Sequence, residues 1–191
     1  MIDRLSDLPA LSEGWLAPLQ ADDPELYAKL AATIAIAPAA GPVATGLPAG
    51  VDAALAVVDL SGREIGAFRF APAAGPDMRG RLVAYDARVR EAFDTGKDIV
   101  FVGDHDSGPV FVSPHGVGLL DISAQPPRIR ALARDFTGFL IAQANAYDAY
   151  RRCLVGAEDL AGYHAAAEAC ATLPAMAGVE VATIFDAQRF G

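Results

Sequence analysis

The stretch Ile99 to Ile122, IVFVGDHDSGPVFVSPHGVGLLDI, constrains the fold more than any other part of the chain. Its apolar residues fall into three short runs, Ile99–Val102, Val110–Ser113 and Val117–Ile122. Valine, isoleucine and phenylalanine suit a pleated, half-buried surface, and the Gly, Asp, Ser and Pro between the runs supply turn conformations. The spacing predicts a three-strand meander over about 99–122, with turns at Gly103–Gly108 and Pro114–Gly116. Strands joined this closely run antiparallel, because a parallel pair needs a crossover of about a dozen residues or more.

Helical signals flank the meander. Asp22-Asp23-Pro24-Glu25 reads as a helix start, with Leu26, Leu30 and Ile34 forming one stripe after it. The residues before Pro24 are punctuated by proline and read as irregular or a short helix. Leu82, Tyr85, Val89 and Phe93 recur at three- and four-residue spacing, which predicts an amphipathic helix stopping near Gly96. A hairpin is expected from Ala54–Leu60 and Ile65–Phe70 about a Ser61-Gly62 turn, with a helix starting at Val51-Asp52 as the alternative for its first half. Loops are expected over Ala37–Gly50 and Ala71–Gly80.

Downstream, Pro126-Pro127 is read as the start of a long helix, Ile129 to about Leu154. Its apolar face would hold Ile129, Leu132, Phe136, Phe139, Leu140 and Ala144, and Arg130 and Arg134 would share a face fit for a small anion. A further helix is expected over Ala157 to about Thr172, then an edge strand or short helix at Val179–Ile184. The order lacks a βαβ rhythm. It predicts an α+β fold, an antiparallel or mixed sheet covered by helices. One domain over 1–191 is expected, with an N-terminal extension (about 1–24) and a C-terminal helical extension (about 155–191).

Composition narrows the function. Fifteen basic residues against twenty-four acidic ones leave a formal charge of −9, which disfavours a nucleic-acid surface built on Lys and Arg. The same charge suits a basic protein partner, whose approach an acidic surface accelerates. Cys153 and Cys170 are too few for a disulfide scaffold and lack metal-ligand spacing. No basic-then-apolar leader and no run of about 18–20 apolar residues is visible, so no membrane partner and a cytoplasmic location are expected.

The chemistry-bearing run is Asp104-His105-Asp106-Ser107. Carboxylate and imidazole groups bind divalent metals and serve acid–base catalysis, so a small metal-dependent hydrolase using Asp104, His105, Asp106 and His115 is one reading. In a meander, however, His105 and His115 lie at opposite ends of a strand. Three consecutive residues at a turn also seldom aim at one ion. The other reading is a hairpin tip shaped by Asx-type turn chemistry and free to touch a partner. No nucleophile elbow, P-loop or dinucleotide fingerprint is present, and neither a cofactor nor a metal ligand set is expected. The lone tryptophan, Trp15, is expected in the core.

Asp98 to Tyr150 resembles the second half of a SUKH-superfamily domain. The residues that carry the resemblance are the strand and polar turn Phe101-Val-Gly-Asp-His-Asp-Ser-Gly, the strand Pro109-Val-Phe-Val, and the glycine-marked strand Gly116-Val-Gly-Leu-Leu-Asp121. They are followed by the run Leu132-Ala-Arg-Asp-Phe136-Thr-Gly-Phe139-Leu140. Leu47-Pro48 matches an early family dipeptide, but the Asn-Gly that accompanies it in the family is missing. The superfamily includes fungal regulators of cell-wall synthesis and bacterial immunity proteins. The resemblance implies a non-enzymatic binding domain that neutralises a toxin of nuclease or deaminase type. Asp104, His105, Asp106 and Ser107 are then the expected partner-binding residues.

Overall fold

The computed structural model describes residues 1–70, 78–93, 96 and 98–190. Its centre is a six-stranded sheet formed by β3 (Glu64–Ile65), β4 (Phe68–Phe70), β5 (Val100–His105), β6 (Gly108–Ser113), β7 (Gly116–Asp121) and β8 (Arg128–Ala133). Strand order in space equals order in the chain, and every neighbouring pair is antiparallel. A separate two-stranded ribbon pairs β1 (Ala37–Pro38) with β2 (Val58–Asp59). The fold is α+β, an antiparallel sheet covered by helices.

The central helix is α5 (Phe136–Ala149). Phe136 and Phe139 meet Phe68 edge-to-face, at ring-centroid separations of 6.3 and 5.0 Å. A helix apolar around its whole circumference has to be enclosed. The sheet covers one side of α5, and α1 (Leu8–Asp22), α6 (Leu160–Ala171) and α7 (Val181–Phe190) pack around the rest. The other face of the sheet carries α4 (Met78–Ala92), whose Tyr85 and Val89 cover Phe101, Phe111 and Leu120. Asp86 ties this helix down by accepting the Phe101 N–H at 2.9 Å and pairing with Arg90 at 2.7 Å. Phe111 lies over Gly118, where a Cβ would come within 2.3 Å of the ring.

Several expectations hold. Asp23 caps α2 (Pro24–Ile34) by accepting the Leu26 N–H at 2.9 Å, with Pro24 at the first position. Trp15 is buried, edge-to-face with Tyr147 at 4.8 Å. The competing reading at Val51-Asp52 holds in place of a strand from Ala54: α3 (Val51–Leu55) is helical, and the hairpin reduces to β3 and β4. The loop expected over Ala71–Gly80 falls outside the described residues except for Met78–Gly80, which begin α4. The Val179–Ile184 stretch resolves mainly as helix α7, with Val179 bridging to Ala133 ahead of it.

Two expectations are corrected. The segment before Pro24 is a fifteen-residue helix that continues through Pro18. Leu8, Ser12, Trp15 and Leu16 form one buried stripe, whose burial outweighs the hydrogen bond the proline removes. The long helix from Ile129 does not form either. Arg128–Ala133 is strand β8, with Ile129 paired to Leu120 and Arg128 to Asp121. Asp121 accepts from Arg130 at 2.6 Å, which draws that side chain onto the sheet, and Ile129 is left 63% exposed. The helix begins only after Asp135, whose side chain accepts the Gly138 N–H at 2.8 Å. Arg130 and Arg134 therefore share no helix face.

Candidate functional site

The β5–β6 hairpin positions the candidate residues. Its register pairs His105 with Gly108, leaving Asp106 and Ser107 as a two-residue loop. Asp104 and His105 thus belong to the strand, where successive side chains point to opposite faces. The strand alternation divides the Asp-His-Asp run, and among the described residues no group of three His, Cys, Asp or Glu side chains is arranged to hold a metal ion. His115 lies in the next turn, at the far end of β6, roughly 17 Å along the strand at about 3.3 Å per residue. Ser113 accepts the His115 N–H at 3.1 Å and donates to the Gly116 carbonyl at 3.3 Å, so its hydroxyl closes that turn.

Asp104 points to the α4 face, where its carboxylate accepts the Tyr85 hydroxyl at 2.5 Å. Burial, and secondarily this carboxylate, push the Tyr85 phenol well above its ordinary value. Arg88 stacks over the same ring, 5.3 Å from its centroid. Between α4 and the hairpin runs a groove of about 370 Å³. Val89, Phe93, Pro109 and Ile122 supply its apolar surface, and Asp104, Asp106 and Arg88 its charges. Ile122, 46% exposed, continues the apolar surface outward.

His105 points the other way, into the α5 side. It is 7% exposed, and burial lowers its pKa against the opposing pull of Asp106. The Ser107 N–H donates to Nδ1 at 3.3 Å, which leaves the proton of the neutral ring on Nε2. A second cavity, of about 240 Å³, lies here between the sheet, α5 and α7. His105, Ser107, Arg130, Gln143, Thr183 and Asp186 supply its polar lining.

Sequence reasoning missed Gln143 entirely. It is fully buried, and among the described residues neither atom of its amide has a hydrogen-bond partner. The signal was present: a glutamine inside FTGFLIAQANAYDA interrupts a run that is otherwise fit for a core. Arg130 enters from strand β8 and not from a helix face shared with Arg134. Its Nη2 holds Asp121 at 2.6 Å while its buried Nε has no partner.

No family model matches the chain, and no curated protein or solved structure matches it. Among the described residues no helix is long and apolar enough to cross a membrane.

Proposed function

We propose that the chain is a non-enzymatic, cytoplasmic protein-binding module of the kind its SUKH resemblance implies. Its partner is a basic toxin domain of nuclease or deaminase type, which it neutralises by binding. The observation that carries this reading is the groove between α4 and the β5–β6 hairpin, with apolar walls and two carboxylates, Asp104 near the end of β5 and Asp106 in the hairpin loop, presented by a sheet. Recognition commonly sits on loops that a rigid scaffold positions, and an apolar centre with a charged rim is the usual anatomy of a protein interface. A groove of this size takes one or two anchoring side chains of a wider contact surface, and the formal charge of −9 speeds the approach of a basic partner.

The test is co-expression with a candidate basic toxin domain, followed by association kinetics for wild type and Asp104→Asn/Asp106→Asn. Relief of toxicity is expected, with association slowed about three- to tenfold in the double variant and its salt dependence flattened. An unchanged on-rate and salt slope would remove the hairpin from the interface.

A further inference from the structure

The cavity on the opposite side of the hairpin carries groups that the fold leaves unused. Helix α5 buries two amide side chains within one turn, and they are treated differently. Asn145 accepts the Ile2 N–H and donates to the Ile2 carbonyl, both at 2.8 Å. Gln143, which lines the cavity, has an unpartnered oxygen and an unpartnered nitrogen among the described residues. Buried polar groups are hydrogen-bonded in the great majority of cases, so two orphan atoms on one side chain call for a specific explanation.

The hydrogen-bonding inventory defines what would complement them. The Gln143 amide offers a donor beside an acceptor, and Arg130 Nε adds a second free donor. The neutral His105 ring presents Nε2–H as a third, since Nδ1 is occupied by the Ser107 N–H. A matching ligand carries a ring N–H flanked by carbonyl oxygens: the N–H meets Gln143 Oε1, one carbonyl meets Gln143 Nε2, and another meets Arg130. Leu119, Leu132, Phe139 and Ile184 complete the walls and suit the faces of a flat ring.

Charge favours a neutral molecule over an anion. Arg130 is the one cation among the lining residues, and it is already paired with Asp121. Asp186, exposed in the lining, carries the same sign as an incoming anion. At a liquid-like share of about 30 Å³ each, the cavity admits roughly eight heavy atoms. That is one six-membered ring with its substituents.

We propose that this cavity binds a small, neutral, planar cyclic imide of pyrimidine-dione size, held edge-on by the Gln143 amide and Arg130 Nε. Of their lining residues the site shares only His105 with the groove proposed for the protein partner, and neither inference depends on the other.

The probe is uracil, titrated into the isotopically labelled full chain and followed by NMR. Saturable shifts are expected in the Gln143 side-chain amide and the Arg130 Nε–H. 3-Methyluracil, which lacks the ring N–H, should bind at least about tenfold more weakly, because a site built to pair a polar group rejects the analogue without it. Gln143→Leu should abolish the shifts. Arg130→Lys, which keeps the charge near Asp121 but loses the Nε–H, should weaken binding about three- to tenfold with the fold intact. The proposal is overturned by the absence of saturable shifts at about 10 mM uracil, a concentration that reveals even weak fragment binding. Equal binding of the methylated probe, wild-type affinity in Arg130→Lys, or a uracil-soaked crystal with only water on Gln143 would overturn it as well.

Discussion

Replacing Gln143 with leucine should stabilise the protein, whereas replacing Asn145 with alanine, two residues on, should destabilise it. Leucine has nearly the volume of glutamine and removes two orphan polar atoms from a fully buried position. An unmade buried hydrogen bond costs about 1–3 kcal/mol, and a net gain of about 2 kcal/mol allows for imperfect packing of the new side chain. At about 2–4 °C per kcal/mol for a chain of this length, Tm rises by roughly 4–8 °C. Asn145→Ala works in the opposite direction. It strands the N–H and carbonyl of Ile2, itself only 8% exposed, at a cost of about 3–5 kcal/mol including the small void left behind. Urea unfolding followed by Trp15 fluorescence measures both, because the lone tryptophan is buried against Tyr147. A loss of stability in Gln143→Leu would refute the reasoning, since it would mean that the amide is hydrogen-bonded in solution. It would also take away the premise of the imide site.

Tyr85 and Tyr163 are both pushed above the ordinary phenol value, chiefly by burial. An alkaline absorbance titration should therefore show two of the five tyrosines ionising only as the protein unfolds. Asp121 is held at about 2, below its ordinary 3.8, first by the Ser123 hydroxyl and then by Arg130, against the opposing effect of burial. A depressed folded-state pKa contributes stability in full above about pH 4 and loses it as pH falls toward 2. The stability gap between wild type and Asp121→Asn should close over that window in acid unfolding experiments; a constant gap would refute the assignment. Gly118→Ala should cost about 1–3 kcal/mol by forcing the Phe111 ring off the strand, read in the same urea assay.

What was legible in the sequence is what rests on local chemistry. The meander follows from turn residues between β-prone runs, the start of α2 from a cap, and the body of α4 from a periodic stripe. Strand β8 reads as helix from the sequence because Ile129, Leu132, Phe136, Phe139 and Leu140 repeat at spacings a helix would use. That periodicity spans a strand and a helix, and only the Asp135 cap marks their junction. Helix α1 is hidden from local reasoning because its prolines argue against a helix, whereas the burial that stabilises it comes from residues far along the chain, such as Tyr147 against Trp15. At the site, Asp104, His105, Asp106 and Ser107 do lie together at the hairpin. Their division between two faces depends on where the turn begins, and turn-forming residue types place that start at Gly103, three residues before the observed Asp106. The cavity was not legible because Gln143, Arg130 and Asp186 come from α5, β8 and α7, whose convergence no local pattern encodes.

The matching of strand order to chain order bears on how the molecule assembles. From β5 to β8 each ladder closes a short local loop, while Ile2 must find Asn145 across 143 residues, and Ala67 must find Gln188 across 121. Closing a loop of that length costs roughly 3 kcal/mol more entropy than closing a four-residue hairpin. Contact order therefore predicts that the meander forms early and that the helices drawn from distant parts of the chain dock on it late. Since α7 supplies Thr183, Ile184, Asp186 and Ala187 to the Gln143 cavity, the lining of that cavity is complete only once this C-terminal helix has docked.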